Sequence, residues 1–174
     1  SLPPENTRGN HFELLKLGGN LDSRFGDIRD YNALRTALAD SRADIVFHLA
    51  AQALVRRSYS DPIENYASNV MGTVHLLEAI RHVHSVRTVV NITTDKCYEN
   101  REWEWPYREI DELGGADPYS SSKACAELVT SAYRRSYFEN AGIALASARA
   151  GNVIGGGDFG IELAQRAGRG VTRI

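Results

Sequence analysis

The chain has 174 residues, of which 43% are hydrophobic and 24% are charged, and its formal net charge is -2. This composition is typical of a globular domain with a buried core. The chain has no basic cluster of the kind that binds nucleic acid, and no apolar run long enough to span a bilayer. The sequence therefore predicts neither a nucleic-acid partner nor a membrane partner.

The two cysteines, Cys97 and Cys125, lie far apart and outside any Cys/His cluster with metal-site spacing. We expect two reduced thiols and no metal, as in cytoplasmic proteins. The N-terminus also has no basic segment followed by an apolar one, so the sequence predicts no secretory signal and a cytoplasmic location.

In chain order, the proline- and glycine-rich stretch 1–20 predicts an irregular N-terminal segment. Asp30 then predicts a helix start, because apolar residues follow it at helical spacing. Residues 44–51 form a continuous apolar run with β-branched members, which predicts a parallel strand buried on both faces.

A second helix is predicted to begin at Asp61, with Pro62 in its first turn and Glu64 at the capping-box position. We expect it to continue to about residue 82. Its predicted apolar stripe consists of Tyr66, Val70, Leu77 and Ile80. Residues 88–93 follow as a second buried strand.

Residues 95–117 are polar and aromatic and predict a long loop, which in a compact domain usually has a function. A helix over 117–140 and a strand over 144–148 come next. Strands that alternate with helices predict an α/β fold with a doubly wound parallel sheet.

Tyr119 and Lys123 stand four residues apart near the start of the last predicted helix, so they share one helix face. A lysine ammonium near a phenol lowers the pKa of the phenol, which predicts a general base for a hydroxyl proton. A surface pair without function has the same spacing.

Polar residues also end two of the predicted strands. Thr93, Thr94, Asp95 and Lys96 follow the second strand directly, at the end of a parallel sheet where ligands bind. For these residues taken alone, ordinary strand-exit hydrogen bonding is the better explanation. His48 near the end of the first strand is interpreted as a packing residue.

These motifs occur in one order that resembles a known family. The stretches are Gly-Asp-Ile-Arg-Asp (26–30), His-Leu-Ala-Ala-Gln (48–52), Asn-Val-Met-Gly-Thr (69–73), Thr-Thr-Asp (93–95), Tyr-x-x-x-Lys (119–123) and Arg-Ala-Gly-Asn-Val-Ile-Gly-Gly-Gly-Asp (149–158). Over residues 25–159 the chain resembles the nucleotide-sugar dehydratases of the extended short-chain dehydrogenase/reductase family. Asp95-Lys96-Cys97-Tyr98 and the tryptophan-bearing loop most resemble the CDP-glucose 4,6-dehydratase group.

The resemblance implies an NAD-dependent conversion of CDP-glucose to its 4-keto-6-deoxy sugar and water, in the cytoplasm, for deoxysugar or lipopolysaccharide synthesis. It implies that Tyr119 is the base for the 4-hydroxyl and that Lys123 tunes it and binds the nicotinamide ribose. Thr94 would bind the 4-hydroxyl and Asp95 would protonate the leaving 6-hydroxyl. Lys96 replaces a glutamate of the dTDP-glucose enzymes, and whether it removes the C5 proton or orients the intermediate stays open.

The resemblance also implies binding residues. Those for NAD, besides Tyr119 and Lys123, are Asp27, Ile28, Leu49, Ala50, Ala51, Asn69 and Thr93. Thr94 and Asn152 would contact the substrate. Asn69 can equally be a helix residue that satisfies local backbone groups. We expect a homodimer, formed through the helices predicted over 61–82 and 117–140.

Two departures from the family predict a partial Rossmann-like fold. The first βαβ unit with its glycine fingerprint and the C-terminal substrate domain are missing, and residues 160–174 diverge. We therefore expect a partial NAD-binding domain over 21–159 and a divergent tail. Two alternatives stay open: another nucleotide-sugar dehydratase or epimerase of the same family, and an inactive fragment that serves only as a binding piece.

Overall fold

The computed structural model describes residues 21–153, and all of its described helices and strands lie in one compact unit, Gly26–Gly151. Residues 21–25 and 152–153 belong to a second unit. The predicted irregular segment 1–20, the glycines after residue 154 and the predicted tail 160–174 lie outside the described residues.

Three parallel strands form the described sheet, in the order β1-β2-β3. They are β1 (Ile45–His48), β2 (Thr88–Thr94) and β3 (Ala144–Ala150). Val90 of β2 pairs with Phe47 on one side and with Ala146 on the other. Parallel neighbours require crossover connections, and helices supply them here, so the predicted α/β class is confirmed.

Helices connect the strands. They are α1 (Tyr31–Ser41), α2 (Val55–Ser60), α3 (Pro62–Tyr66), α4 (Gly72–Arg81), α5 (Pro118–Tyr133) and α6 (Glu139–Ala141). A π turn, Ala67–Met71, joins α3 to α4, and a second, Arg134–Phe138, joins α5 to α6. The two long helices predicted from the sequence are therefore present, each interrupted by one wide turn.

The predicted helix caps form. Each capping aspartate accepts a hydrogen bond from the backbone N–H three residues later, and these aspartates are Asp30, Asp61 and Asp117. The predicted capping-box role of Glu64 is wrong, because its carboxylate forms an ion pair with Arg57 at 2.8 Å instead.

The described helices bury one face of the sheet. Val46, Val89 and Leu145 point into a core that the helices complete with Leu38, Leu76, Leu77, Ala79, Ile80, Val83, Val86 and Phe138. The alternating residues of β1 point the other way, and Ile45 and Phe47 are 50% and 63% exposed. The prediction that this strand is buried on both faces is therefore wrong for the described part of the chain.

The predicted apolar stripe of the second helix is also partly wrong. Leu77 and Ile80 are buried, whereas Tyr66 is 37% exposed. Asn65 and Asn69 are buried in its place, at 0% and 2% exposure. Both asparagines face α5, because Asn65 donates a hydrogen bond to the Pro118 carbonyl at 2.8 Å and Asn69 donates one to Ser122 Oγ at 2.9 Å.

Candidate active site

The carboxyl end of β2 carries buried hydroxyls below an exposed charged pair. Thr93 and Thr94 are 5% and 4% exposed, whereas the side chains of Asp95 and Lys96 are 54% and 44% exposed. These last two begin a 3-10 turn, Asp95–Cys97. Asp95 Oδ1 lies 3.1 Å from Thr94 Oγ1 and 3.3 Å from Lys96 Nζ. The three polar groups therefore meet at one point.

Helix α5 places Tyr119 and Lys123 at the same point. The ammonium of Lys123 donates a hydrogen bond to the carbonyl oxygen of Ile92 in β2, at 3.2 Å. The hydroxyl of Thr94 lies close enough to the phenol of Tyr119 to lower its pKa. The structure thus brings together all five predicted catalytic residues, which lie on β2, on the 3-10 turn that follows it and on α5.

The electrostatics of this pair differ from the sequence prediction. Burial raises the pKa of Tyr119, and the hydrogen bond with Thr94 opposes that shift only in part. Burial also lowers the pKa of Lys123, against the attraction of Glu127. In the chain by itself the net direction of the Tyr119 pKa is therefore opposite to the predicted one, and the Lys123 ammonium binds a backbone carbonyl. A lowering of the Tyr119 pKa by Lys123 stays a prediction for the occupied site.

His48 is a buried packing residue, as predicted. It is 5% exposed, and its Nε2 lies 3.1 Å from Thr73 Oγ1. Burial, and then the charge of Lys123, lowers the pKa of His48 to about 4. The imidazole is therefore neutral near pH 7.

Asn69 links the loop after β1 to the helix of Tyr119. Its Oδ1 accepts from the backbone N–H of Gln52 at 2.8 Å, and its Nδ2 lies 3.1 Å from the Gln52 carbonyl. Nδ2 also contacts Ser122 Oγ at 2.9 Å, and Ser122 in turn donates to the Tyr119 carbonyl at 2.7 Å. The sequence predicted Asn69 but missed Gln52 and Ser122, which its side chain joins.

The strand-end residues predicted to meet the cofactor follow β1 at the same edge of the sheet. Leu49 is 68% exposed, Ala50 is exposed and Ala51 is half-buried. Small side chains here leave room for a ligand to approach the backbone. Their contact with a cofactor stays a prediction.

Asp27 and Ile28, the other predicted cofactor residues, lie before α1. Side-chain and backbone hydrogen bonds from Arg29 lower the pKa of Asp27, and the ion pair between the two side chains has an N–O distance of 2.6 Å. Ile28 packs against the core, and its side chain lies 2.8 Å from where a Cβ on Gly72 would be. Asn152 belongs to the second unit, so its substrate contact also stays a prediction.

A buried carboxylate that the sequence analysis missed lies beneath the site. Glu127 accepts hydrogen bonds from Thr93, from Ser147 at 2.8 Å and from Arg149 at 3.0 Å. Burial alone would raise the pKa of Glu127, but these donors outweigh it, and the pKa lies below its usual value. The guanidinium of Arg149 also stands 4.9 Å from the ring centroid of Tyr98.

Both cysteines are free thiols, and burial raises the pKa of Cys97 to about 11. Residues 21–153 hold no group of three or more His, Cys, Asp or Glu side chains that could bind a metal. Within the same residues, no helix combines the length and the apolar character that crossing a membrane requires.

The sequence profile of the GDP-mannose 4,6 dehydratase family matches residues 5–156 of the chain. The chain belongs to this family. Among the family relatives, a CDP-glucose 4,6-dehydratase from Salmonella typhimurium is 58% identical over 153 residues. The match covers 85% of this chain and 43% of that relative, so the chain spans less than half the length of the enzyme that it resembles.

Solved structures from the same enzyme group share the fold. A dTDP-glucose 4,6-dehydratase from Streptomyces venezuelae, solved with NAD and DAU bound, superposes with a TM-score of 0.65 at 33% identity, covering 74% of this chain and 39% of that one. A Thermus thermophilus UDP-glucose 4-epimerase in complex with NAD gives 0.64 at 28% identity, covering 84% and 49%. The predicted Rossmann-like fold is therefore confirmed.

Proposed function

We propose that this chain carries the acid–base residues of a nucleotide-sugar dehydratase that converts CDP-glucose to CDP-4-keto-6-deoxyglucose and water. The observation that carries the proposal is the meeting of Thr94, Asp95 and Lys96 with Tyr119 and Lys123 at the carboxyl end of β2. The 58% identity with the Salmonella CDP-glucose 4,6-dehydratase supports the choice of CDP-glucose.

The proposed cofactor is NAD, which when bound accepts a hydride from C4 of the sugar and returns it to C6. The residues fit such a group. Lys123 is 7% exposed, and its ammonium, which has three N–H donors, makes one hydrogen bond within the described residues, to Ile92. The donors that remain suit the hydroxyls of a ribose. The other residues proposed to hold NAD are Asp27, Ile28, Leu49, Ala50, Ala51, Asn69, Thr93 and Tyr119.

Tyr119 is proposed to remove the proton of the 4-hydroxyl, with Thr94 as hydrogen-bond partner of the same group. Because burial raises the pKa of Tyr119, its phenolate needs a positive charge close by. Lys123 lies one turn along the same face of α5 and is the charge that the chain offers.

Asp95 is proposed to donate a proton to the departing 6-hydroxyl. Its carboxyl group is exposed at the edge of the site, where a sugar can reach it. Lys96 contacts the same carboxyl at 3.3 Å. We keep both proposed roles for Lys96, removal of the C5 proton and orientation of the intermediate.

We further propose a cytoplasmic homodimer that contributes to deoxysugar synthesis for lipopolysaccharide, with Asn152 at the substrate. Exposed apolar side chains on the helices support the dimer. Ile63 at the start of α3 is 82% exposed, Tyr59 on α2 is 66% exposed and Leu128 on α5 is 60% exposed. Such residues on neighbouring helices suit a contact with a second copy.

The test uses the chain by itself and a chimera in which the chain replaces the matching part of the Salmonella enzyme. Each is incubated with NAD and CDP-glucose, UDP-glucose or dTDP-glucose, and the 4-keto product is measured by its absorbance in alkali. We expect product from CDP-glucose. Tyr119→Phe should lower kcat at least about 100-fold, because it removes a general base. Tyr137→Phe, at a tyrosine 43% exposed on the π turn that follows α5, should leave kcat unchanged.

Each other outcome corrects a stated part of the proposal. Product from UDP-glucose or dTDP-glucose alone would overturn the nucleotide assignment and keep the dehydratase. A C4 epimer in place of the keto sugar would identify an epimerase. Product from the chimera but not from the chain would mean that these residues act only with the rest of the Salmonella sequence. An unaffected Tyr119→Phe chimera would refute the role of the phenol.

A further inference from the structure

Glu127 joins three elements beneath the site. It projects from α5 and accepts hydrogen bonds from Thr93 of β2 and from Ser147 and Arg149 of β3. Its side chain is 5% exposed. A carboxylate this deeply buried is stable only while its hydrogen bonds are kept, so the cluster fixes the relative positions of its members.

Arg149 extends this cluster to the loop that follows the site. Its side chain is 16% exposed. Besides its ion pair with Glu127, it donates from Nη1 to the carbonyl oxygen of Glu109 at 3.1 Å and stands over the ring of Tyr98 at 4.9 Å. Both contacts lie in the segment 98–113, which is called the aromatic loop below. A planar guanidinium can make all three contacts at once, whereas an ammonium cannot.

The ion pair between Glu127 and Arg149 therefore holds both ends of the segment that contains Thr94, Asp95 and Lys96. Thr93, which Glu127 binds, directly precedes Thr94, Asp95 and Lys96. Tyr98, over which Arg149 lies, follows them after Cys97. Between these two anchors the chain has only four residues, so a shift of either anchor moves the Asp95 carboxyl.

The aromatic loop is built on the second anchor. Tyr98 pairs with Leu113 in an isolated antiparallel bridge. Its ring stacks on Tyr107 at 5.2 Å between centroids, and Tyr107 lies 5.5 Å from Trp103. A displacement of Tyr98 would therefore also displace Tyr107 and, through it, Trp103.

We propose that Glu127 and Arg149 are positioning residues that hold Asp95 and the aromatic loop in place for the elimination of water. The mechanistic half of this inference rests on the proposed function. The anchoring half does not, because it concerns only contacts within this chain.

The chain offers a matched control with the same chemistry away from the site. Glu78 and Arg81 form an ion pair at 2.8 Å, and Arg81 stands 4.0 Å from the ring centroid of Tyr137. The side chains of this pair are 30% and 32% exposed. Variants of Glu78, Arg81 and Tyr137 therefore report what loss of a Glu–Arg–Tyr contact does without a link to the site.

The first measurement is tryptophan fluorescence of the whole chain. The chain has 2 tryptophans, Trp103 and Trp105, and both lie in the aromatic loop. We expect Arg149→Met and Tyr98→Leu to shift the emission maximum and to increase quenching by acrylamide. Arg81→Met and Tyr137→Leu should change neither. Tyr98→Leu leaves the buried ion pair intact, so it answers the question even if Arg149→Met does not fold. An unchanged spectrum in Tyr98→Leu would overturn the anchoring.

The second measurement is steady-state kinetics of the chimera with CDP-glucose. A displacement of a catalytic group by about 1 Å can cost about 100-fold in rate, so we expect Tyr98→Leu and Arg149→Lys to lower kcat by about 10-fold to 100-fold with KM unchanged. A loss confined to KM, or a kcat equal to that of the parent, would overturn the positioning role. If the parent chimera is itself inactive, the proposed function and with it the mechanistic half fail, while the fluorescence still decides the anchoring.

Discussion

Two clusters in this chain each consist of a glutamate, an arginine and a tyrosine, but they differ in how far they are exposed to solvent. Glu127, Arg149 and Tyr98 come from α5, β3 and the aromatic loop, and the side chains of the ion pair are 5% and 16% exposed. Glu78, Arg81 and Tyr137 lie on α4 and the second π turn, with the pair 30% and 32% exposed. The N–O distances, 3.0 Å and 2.8 Å, are nearly equal.

The comparison shows that contact geometry alone does not set the importance of an ion pair. At the surface, water replaces a lost partner, and such pairs contribute little to stability. In the buried cluster, loss of Arg149 leaves the Glu127 carboxylate shielded from solvent and without an opposite charge, with only the hydroxyls of Thr93 and Ser147 as donors. The buried cluster also joins residues far apart in sequence, so its loss affects several elements at once.

The largest expected difference between the clusters is in stability. Arg149→Met leaves the Glu127 carboxylate buried without its charged partner, and we expect a loss of about 3–5 kcal/mol in the free energy of unfolding. Arg81→Met should leave the unfolding midpoint nearly unchanged. Urea unfolding followed by circular dichroism measures both. Equal effects of the two variants would refute the comparison.

A double variant sharpens this test. Glu127→Gln combined with Arg149→Met removes the uncompensated charge, so it should recover part of the stability that Arg149→Met loses. If the double variant is less stable than Arg149→Met by the full cost of Glu127→Gln, the two residues are not coupled.

The burial of His48 also predicts a loss of stability in acid. The pKa of His48 is lowered from 6.5 to about 4, so the unfolded chain binds a proton that the folded chain does not bind between these values. Stability is therefore complete above about pH 6.5 and falls as the pH drops toward 4, by up to about 3 kcal/mol from this residue. His48→Gln should remove that part of the pH dependence of urea unfolding. A slope unchanged from the parent would contradict the burial of the imidazole.

At lower pH the two clusters should differ again. The pKa of Glu127 lies below its usual value, since hydrogen bonds from Arg149, Thr93 and Ser147 outweigh burial. The carboxylate therefore stabilises the fold above its unfolded pKa, and this contribution is lost as the pH falls through the folded pKa. Glu127→Gln should flatten the acid limb of the stability curve more than Glu78→Gln does. The reverse order would show that exposure does not separate the two clusters.

The smallest expected difference concerns the aromatic members. A cation–π contact contributes about 0.5–1 kcal/mol at an exposed site and more when desolvated. Tyr98→Leu should thus lower the free energy of unfolding by about 1 kcal/mol. Tyr137→Leu is expected to cost less, because Arg81 is already in contact with water. Equal losses of stability in the two variants would show that burial of Arg149 does not strengthen its contact with Tyr98.

The features that the sequence predicted well are local ones. Asp30, Asp61 and Asp117 cap their helices because a cap needs only the next three residues. Tyr119 and Lys123 meet the end of β2 because parallel strands and helix spacing place them there. These signals require no knowledge of which distant segments pair.

The features that the sequence could not predict depend on distant contacts. Glu127 and Arg149 are separated by 22 positions and meet because α5 packs against β3. The burial of Asn65 and Asn69 in place of Tyr66 depends on hydrogen bonds to Pro118 and Ser122, which lie 53 positions further along the chain. The direction of the Tyr119 pKa shift likewise depends on burial of the phenol in the folded chain.

The mass of the nucleotide sugar that the chimera makes from CDP-glucose tests the central claim most directly. The account predicts that the product is lighter than CDP-glucose by one water. With the Asp95→Asn variant, the nucleotide sugar should keep its oxygen at C6. A nucleotide sugar of unchanged mass but altered configuration at C4 from the parent chimera would contradict the dehydratase. An Asp95→Asn variant that releases water as fast as the parent would contradict the role of this carboxyl group.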